Sequence, residues 1–186
     1  MIRLIAALGN PGARYSSTRH NIGWMVLDKY LEDKNCLWRQ KFHGLYAKIP
    51  SPQLHCIKPQ TFMNLSGRSA AAAAAFFSVP PEDILVIHDD TELPFGDVLL
   101  RKGGGLRGHK GLRSLKQHLR SDAFVRLSIG IGRPSDGDLS SFVTAGFSEF
   151  EQPILPQLLR SCADLIDETV RGGSDWGRRN IFPDHQ

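Results

Sequence analysis

The stretch Ile84-Leu85-Val86-Ile87-His88-Asp89-Asp90 decides the fold class. Five residues without a break for a polar face, bounded by Pro81 and followed by two acids, read as a strand buried on both sides. Such strands occur where helices cover both faces of a parallel sheet. Upstream, Asn64–Phe77 contains Ala70–Ala75, the strongest helix-forming run in the chain, and Val79-Pro80-Pro81 stops it. Further upstream, Ile2–Leu8 is a short apolar strand halted by Gly9-Asn10-Pro11-Gly12. Ile22, Met25, Val26 and Tyr30 recur at helical spacing from about His20 to Leu31. Two or three short strands are expected between Trp38 and Lys58, one of them Leu54–Lys58. Downstream, Val98–Arg101 is a candidate strand, followed by a glycine-rich loop, a helix over roughly Leu112–Leu119, and a β-rich run Phe124–Ile131. An amphipathic helix is expected from Glu149 to about Arg171, with Pro153 and Pro156 in its first turns. Strands alternating with helices predict a single three-layer α/β domain over residues 1–186.

Composition narrows the class. The chain has 186 residues, 41% hydrophobic and 23% charged, which suits one globular domain rather than a disordered chain. The net charge of +4 favours a negatively charged partner. Cys36, Cys56 and Cys162 are sparse, odd in number and free of any CxxC pair, which speaks for a reducing compartment over a disulfide scaffold. The apolar run at the N-terminus is short for a signal peptide, and no segment approaches the ~18 apolar residues of a membrane span. The expected location is the cytoplasm.

Ligand crevices in open α/β sheets lie beyond the carboxyl ends of the strands. Asn10 and His20, just after the first strand, and Asp89-Asp90, ending another, therefore belong to one edge. A neutral imidazole can take a proton from water, and a carboxylate at a neighbouring strand end can hold the ring by its other nitrogen. Either Asp89 or Asp90 could do so. The same acids could bind a metal, but no Cys or His cluster stands beside them at ligand spacing, and none is expected. Asn64 is either the cap of the alanine-rich helix or an amide donor to a carbonyl oxygen that gains charge during attack.

Four blocks of residues resemble bacterial peptidyl-tRNA hydrolases, in the family's order. They are Leu8-Gly9-Asn10-Pro11-Gly12 with Tyr15 and Thr18-Arg19-His20-Asn21; Thr61-Phe62-Met63-Asn64-Leu65-Ser66-Gly67; His88-Asp89 with Leu93-Pro94; and Phe124-x-Arg126-Leu127-x-Ile129-Gly130-Ile131-Gly132-Arg133-Pro134. The resemblance implies a monomer with a mixed, mostly parallel sheet between helices. It implies water attack on the ester joining a peptide to the 3′ ribose of tRNA, without metal or organic cofactor. By motif position, His20 is the base and Asp89 its orienting partner. Asn10 and Asn64 bind the peptide backbone or the scissile carbonyl, and Tyr15, Phe62 and Met63 line the site.

One segment departs from the family. Its usual Gly-Gly-Gly-His-Gly-Gly-His-Asn-Gly reads here Gly103-Gly104-Gly105-Leu106-Arg107-Gly108-His109-Lys110-Gly111. An ammonium donates hydrogen bonds but cannot accept them, so Lys110 loses any acceptor role of the family's Asn. Lys110 is expected to face the tRNA phosphates or the developing oxyanion and, if close to His20, to disfavour its imidazolium. Arg101, Lys102, Arg107, Lys110, Arg113, Lys116 and Arg120 run without an intervening acid, and Arg113, Lys116 and Arg120 share a helix face by spacing. With Arg133, these residues are candidate phosphate contacts, though charge runs are commonly plain solvated faces.

Two other classes compete. A non-catalytic RNA-binding relative fits the altered loop but sits poorly with the presence of Asn10, His20, Asn64 and Asp89. A nucleotide-binding α/β enzyme would explain Gly103-x-Gly105-x-x-Gly108 between a strand and a helix. However, no acid ends the following strand to hold a ribose, and His109 interrupts a P-loop reading.

Overall fold

A computed structural model describes residues 1–134, 136–173 and 176–182. The expected single domain over 1–186 therefore includes residues 135, 174–175 and 183–186, which lie outside the described residues. The strands are β1 (Leu4–Ala7), β2 (Arg39–Lys41), β3 (Gly44–Ile49), β4 (Leu54–Pro59), β5 (Ile84–Asp90), β6 (Asp97–Lys102), β7 (Val125–Gly130) and β8 (Gly177–Asn180). The helices are α1 (Ile22–Leu31), α2 (Ser66–Phe76), α3 (Lys110–Leu119), α4 (Leu139–Val143) and α5 (Leu155–Val170).

One eight-stranded sheet runs in the order β2-β3-β4-β1-β5-β7-β6-β8. Its centre, β4-β1-β5-β7, is parallel. Both edges turn antiparallel, with β3 and β6 alone opposing the other strands. β5 sits in the middle of the sheet and is buried along its whole length, which is why its sequence lacks alternation. Successive residues of β1 show the two layers. Ile5 and Ala7 point into a core shared with α1 and α5, whereas Leu4, Ala6 and Leu8 meet α2 and α3. The fold is thus a mixed sheet between two helical layers, as expected.

The glycine motif lies between β6 and α3, but β6 runs antiparallel to the next strand, β7. A dinucleotide fold needs parallel strands around that crossover, so the nucleotide-binding reading fails on topology.

Several boundaries differ from the sequence expectation. The long C-terminal helix begins at Leu155 instead of Glu149, with Pro156 in its first turn, because residues 148–154 fold as successive turns. The helix expected from Asn64 starts at Ser66, after a 3₁₀ turn over Met63–Leu65. β8 was not anticipated: Gly-Arg-Arg-Asn has no strand pattern of its own and exists only by pairing with β6, where Arg178 meets the buried Asp97.

The layers position the site through one close contact. A methyl group on Gly67, in the first turn of α2, would lie 2.1 Å from the Ser114 carbonyl oxygen of α3. The Gly67 N–H also donates to Ser114 Oγ at 3.0 Å. The turn over Met63–Leu65 is thereby held beside the start of α3, at the carboxyl ends of β1 and β5.

Candidate active site

A cleft of about 810 Å³ opens at that edge, lined by Asn10, His20, Met63, Asn64, Asp89 and His109 among others. His20 lies in a 3₁₀ turn, Arg19–Asn21, that leads into α1. Its Nδ1 is 2.8 and 2.9 Å from the two carboxylate oxygens of Asp89. Asp89 is only 2% exposed. Burial alone would raise its pKa, but the His20 and His109 rings outweigh that and hold the carboxyl below the usual range. An ionised carboxylate only accepts, so Nδ1 of His20 carries the hydrogen and Nε2, on the far edge of the ring, keeps its lone pair. Asp90 does something else: it accepts the Glu92 N–H at 2.9 Å and pairs with Arg107 at 3.5 Å. The choice between the two acids is settled by side-chain direction, since neighbouring strand residues point to opposite faces.

His109 was not singled out from sequence. Its Nε2 lies 3.0 Å from Asp89 Oδ1, and its Nδ1 caps α3 by accepting the N–H groups of Gly111 and Leu112 at 3.1 and 3.2 Å. Two donors on Nδ1 leave the proton on Nε2, which must donate to Asp89. The available signal was positional: a ring-nitrogen acceptor stands where a helix start calls for Ser, Thr, Asp or Asn.

The ligand atoms of His20, Asp89 and His109 lie within 4.8 Å of one another, a spacing a cation could bridge. The trio nevertheless does not fit a divalent ion. Neutral imidazole has one lone pair, and in His109 the backbone amides of α3 occupy it. Coordination through Nε2 would require giving up the helix cap. Beneath the trio lies buried His88. Its Nδ1–H donates to the Asp89 carbonyl at 2.7 Å and its Nε2 accepts from the Ser128 hydroxyl at 2.9 Å. Burial pushes its pKa down to about 3, so this ring stays neutral.

The two asparagines are aimed differently. Asn10 Oδ1 accepts the Met63 N–H at 2.8 Å, which leaves the Asn10 Nδ2 donors for the cleft. Asn21 braces the same residue, accepting its N–H at 2.8 Å and donating to its carbonyl at 2.9 Å. Asn64 is not a helix cap: α2 starts after Leu65 without any side-chain cap, and Asn64 stands exposed on the cleft wall. Met63 is buried and Phe62 is 54% exposed, both in the lining.

The structure does not bring Tyr15 to the cleft. The 3₁₀ turn over Ala13–Tyr15 places it under the Arg14 guanidinium, 4.6 Å from its ring centroid. Of the expected phosphate contacts, Arg101, Arg107, Lys110 and Arg113 line the cleft. Lys102 ends β6 in solvent, Lys116 pairs with Asp122, and Arg133 pairs with Glu92, all outside the lining. Arg120 falls beyond α3 in a left-handed conformation, so it leaves the helix face its spacing implied. Arg126 has no role legible in the sequence. Fully buried, it donates to the Gly104 and Gly105 carbonyls at 2.8 and 2.9 Å and so holds the glycine loop from below.

Comparison with known proteins places this geometry. A family model described as peptidyl-tRNA hydrolase matches residues 4–180. The peptidyl-tRNA hydrolase of Geobacter metallireducens is 50% identical over 174 residues, covering 92% of this chain and 90% of that relative. That of Geotalea daltonii is 47% identical over 175 residues, covering 92% of both chains. The crystal structure of peptidyl-tRNA hydrolase from Acinetobacter baumannii superimposes with a TM-score of 0.81 at 31% identity, covering 95% of this chain and 96% of that one.

Proposed function

The chain belongs to the peptidyl-tRNA hydrolase family, and from that membership we propose how it cleaves the ester between a peptide and the 3′ ribose of tRNA. The observation that carries the reading is the His20 Nδ1–Asp89 pair at the floor of a cleft that also holds Asn10 and Asn64. Water bound at His20 Nε2 gives up a proton to that nitrogen as its oxygen attacks the ester carbonyl. Asn10 Nδ2 and the Asn64 amide donate to the carbonyl oxygen as it gains charge. The tetrahedral intermediate then expels the ribose oxygen, which takes the proton back from Nε2. The products are tRNA with a free ribose hydroxyl and the peptide, whose new carboxylic acid releases its proton to solvent. Asp89 holds the ring and stabilises the imidazolium, while His109, with its hydrogen directed at Asp89, keeps that carboxylate ionised and fixed.

Arg101, Arg107, Lys110 and Arg113 give one side of the cleft a positive wall for the acceptor-end phosphates, with recognition resting on charge and shape across many tRNAs. Phe62 and Met63 take apolar contacts of the substrate. Tyr15, Lys102, Lys116 and Arg133 are at most peripheral to it. The protein works as a cytoplasmic monomer of one domain without metal or cofactor, and no described helix is long and apolar enough to cross a membrane. The test is release of N-acetylated amino acid from N-acetylaminoacyl-tRNA with and without a strong chelator. Equal release in both supports the reading. Salt-sensitive tRNA binding without release would favour a non-catalytic RNA-binding relative.

A further inference from the structure

The cleft has two unlike walls. The wall formed by the glycine loop and α3 carries Arg101, Arg107, Lys110 and Arg113. A second part of the lining is α4 and its end, contributing Leu139, Ser140, Val143 and Thr144, without a cation. Helix α4 has no fully buried residue and meets the hydrophobic core through half-buried Phe142 and Val143. It also packs on the 3₁₀ turn that carries His20, and that contact is made by Arg19.

The Arg19 side chain is enclosed, with the residue only 7% exposed. Its guanidinium lies 4.4 Å from the Phe142 ring of α4 and 5.5 Å from Phe147. One Nη donates to the Gly146 carbonyl and the other to Glu151 Oε2 at 2.7 Å. The Arg19 N–H donates to Ala145 at 2.9 Å, and Thr18 pairs with Gly146 as a short antiparallel bridge. Glu151 also accepts the Ser148 N–H, closing the turn that follows α4. Phe142 itself is not in the cleft lining.

We infer that Arg19 is a positioning residue that clamps α4 onto the His20 turn and so sets the wall that receives the acyl, or peptide, part of the substrate. A planar fork that stacks on a ring and binds two acceptors suits this task, and lysine cannot reproduce it. The inference rests on the hydrolase reading above. It separates the two walls by ligand: phosphates on the α3 side, the uncharged acyl group on the α4 side.

The test measures steady-state kinetics with N-acetylaminoacyl-tRNA, affinity for deacylated tRNA, and amide hydrogen exchange over residues 139–147. The proteins are wild type, Arg19→Lys, Phe142→Ala and Phe142→Tyr. For Arg19→Lys and Phe142→Ala, the expected result is a KM raised roughly tenfold with kcat within about twofold. Exchange over 139–147 should be faster, affinity for deacylated tRNA unchanged, and Phe142→Tyr close to wild type. If Arg19→Lys does not fold, Glu151→Gln, which removes the charged partner of Arg19 and leaves Phe142 on the core, takes its place with the same expected result. Unmoved KM in Phe142→Ala, or a fall in kcat at constant KM, overturns the inference. A wild type that releases no product removes the hydrolase reading and this inference together, whereas normal wild-type turnover with unmoved variants removes this inference only.

Discussion

At the scale of single residues, the site is a chain of hydrogen bonds whose directions follow from which groups can only accept. Asp89 accepts from both His20 and His109, and His109 can donate there only because α3 occupies its other nitrogen. Asp89→Asn would present an N–H to His20 Nδ1 and select the tautomer with hydrogen on Nε2, the wrong one for a base. We expect turnover to fall by about 10³-fold or more with little change in KM, read by steady-state kinetics. Lys110 lies at the first position of α3 and lines the cleft, the place where the resembling family has Asn. Lys110→Asn should weaken tRNA binding and lower the slope of log affinity against log salt by about one, measured between 50 and 200 mM salt, roughly. Unchanged affinity and slope would mean that this lysine is merely solvated. Asn10, His20 and Asp89 were legible in the sequence because each belongs to a contiguous motif at a strand end. His109, Arg126 and Arg19 lie within recognisable motifs, but nothing in those motifs shows what they do. Their work depends on partners 20, 21–22 and 127–132 residues away, separations that no local pattern encodes.

At the scale of elements, the layer order around β5 was readable because a strand buried on both faces leaves a distinctive apolar run. The edges were not. β8 carries two arginines and depends on β6, and α4 is five residues with no fully buried side chain, gripped by Arg19 and touching the core through half-buried Phe142 and Val143. Gly67→Ala would push a methyl group against the Ser114 carbonyl, and α2 cannot yield without moving the Met63–Leu65 turn. We expect a loss of about 2–3 kcal/mol of stability, seen as a Tm lower by roughly 5–10 °C, together with reduced turnover. A Tm within a degree of wild type would show that α2 and α3 are less tightly engaged than the contact implies.

At the scale of the whole molecule, buried titratable groups link stability to pH. His88 is neutral in the folded protein, with its pKa near 3, while the unfolded chain takes up a proton near the ordinary histidine value of about 6.5. A depressed folded pKa contributes stability that is complete above the unfolded value and is lost as pH falls toward the folded one. Denaturant unfolding should therefore show stability falling by up to about 1.4 kcal/mol per pH unit between roughly pH 6 and 4 from this residue alone. His88→Asn should flatten that slope; an equally steep slope in the variant would assign it elsewhere. Asp89 shifts in the same sense but adds its loss only below the ordinary carboxylate range, at lower pH than His88. The net charge of +4 was legible from composition, but its concentration on one wall of the cleft came only with the fold.

In the proposed mechanism His20 activates water for attack on the tRNA ester. That role is tested most directly by the single-turnover rate of N-acetylaminoacyl-tRNA hydrolysis with wild type and His20→Ala at saturating enzyme. Rapid release by wild type is expected, with a rate lower by about 10²–10⁴-fold in the variant and tRNA affinity unchanged. A variant that hydrolyses the bound ester as fast as wild type would contradict it.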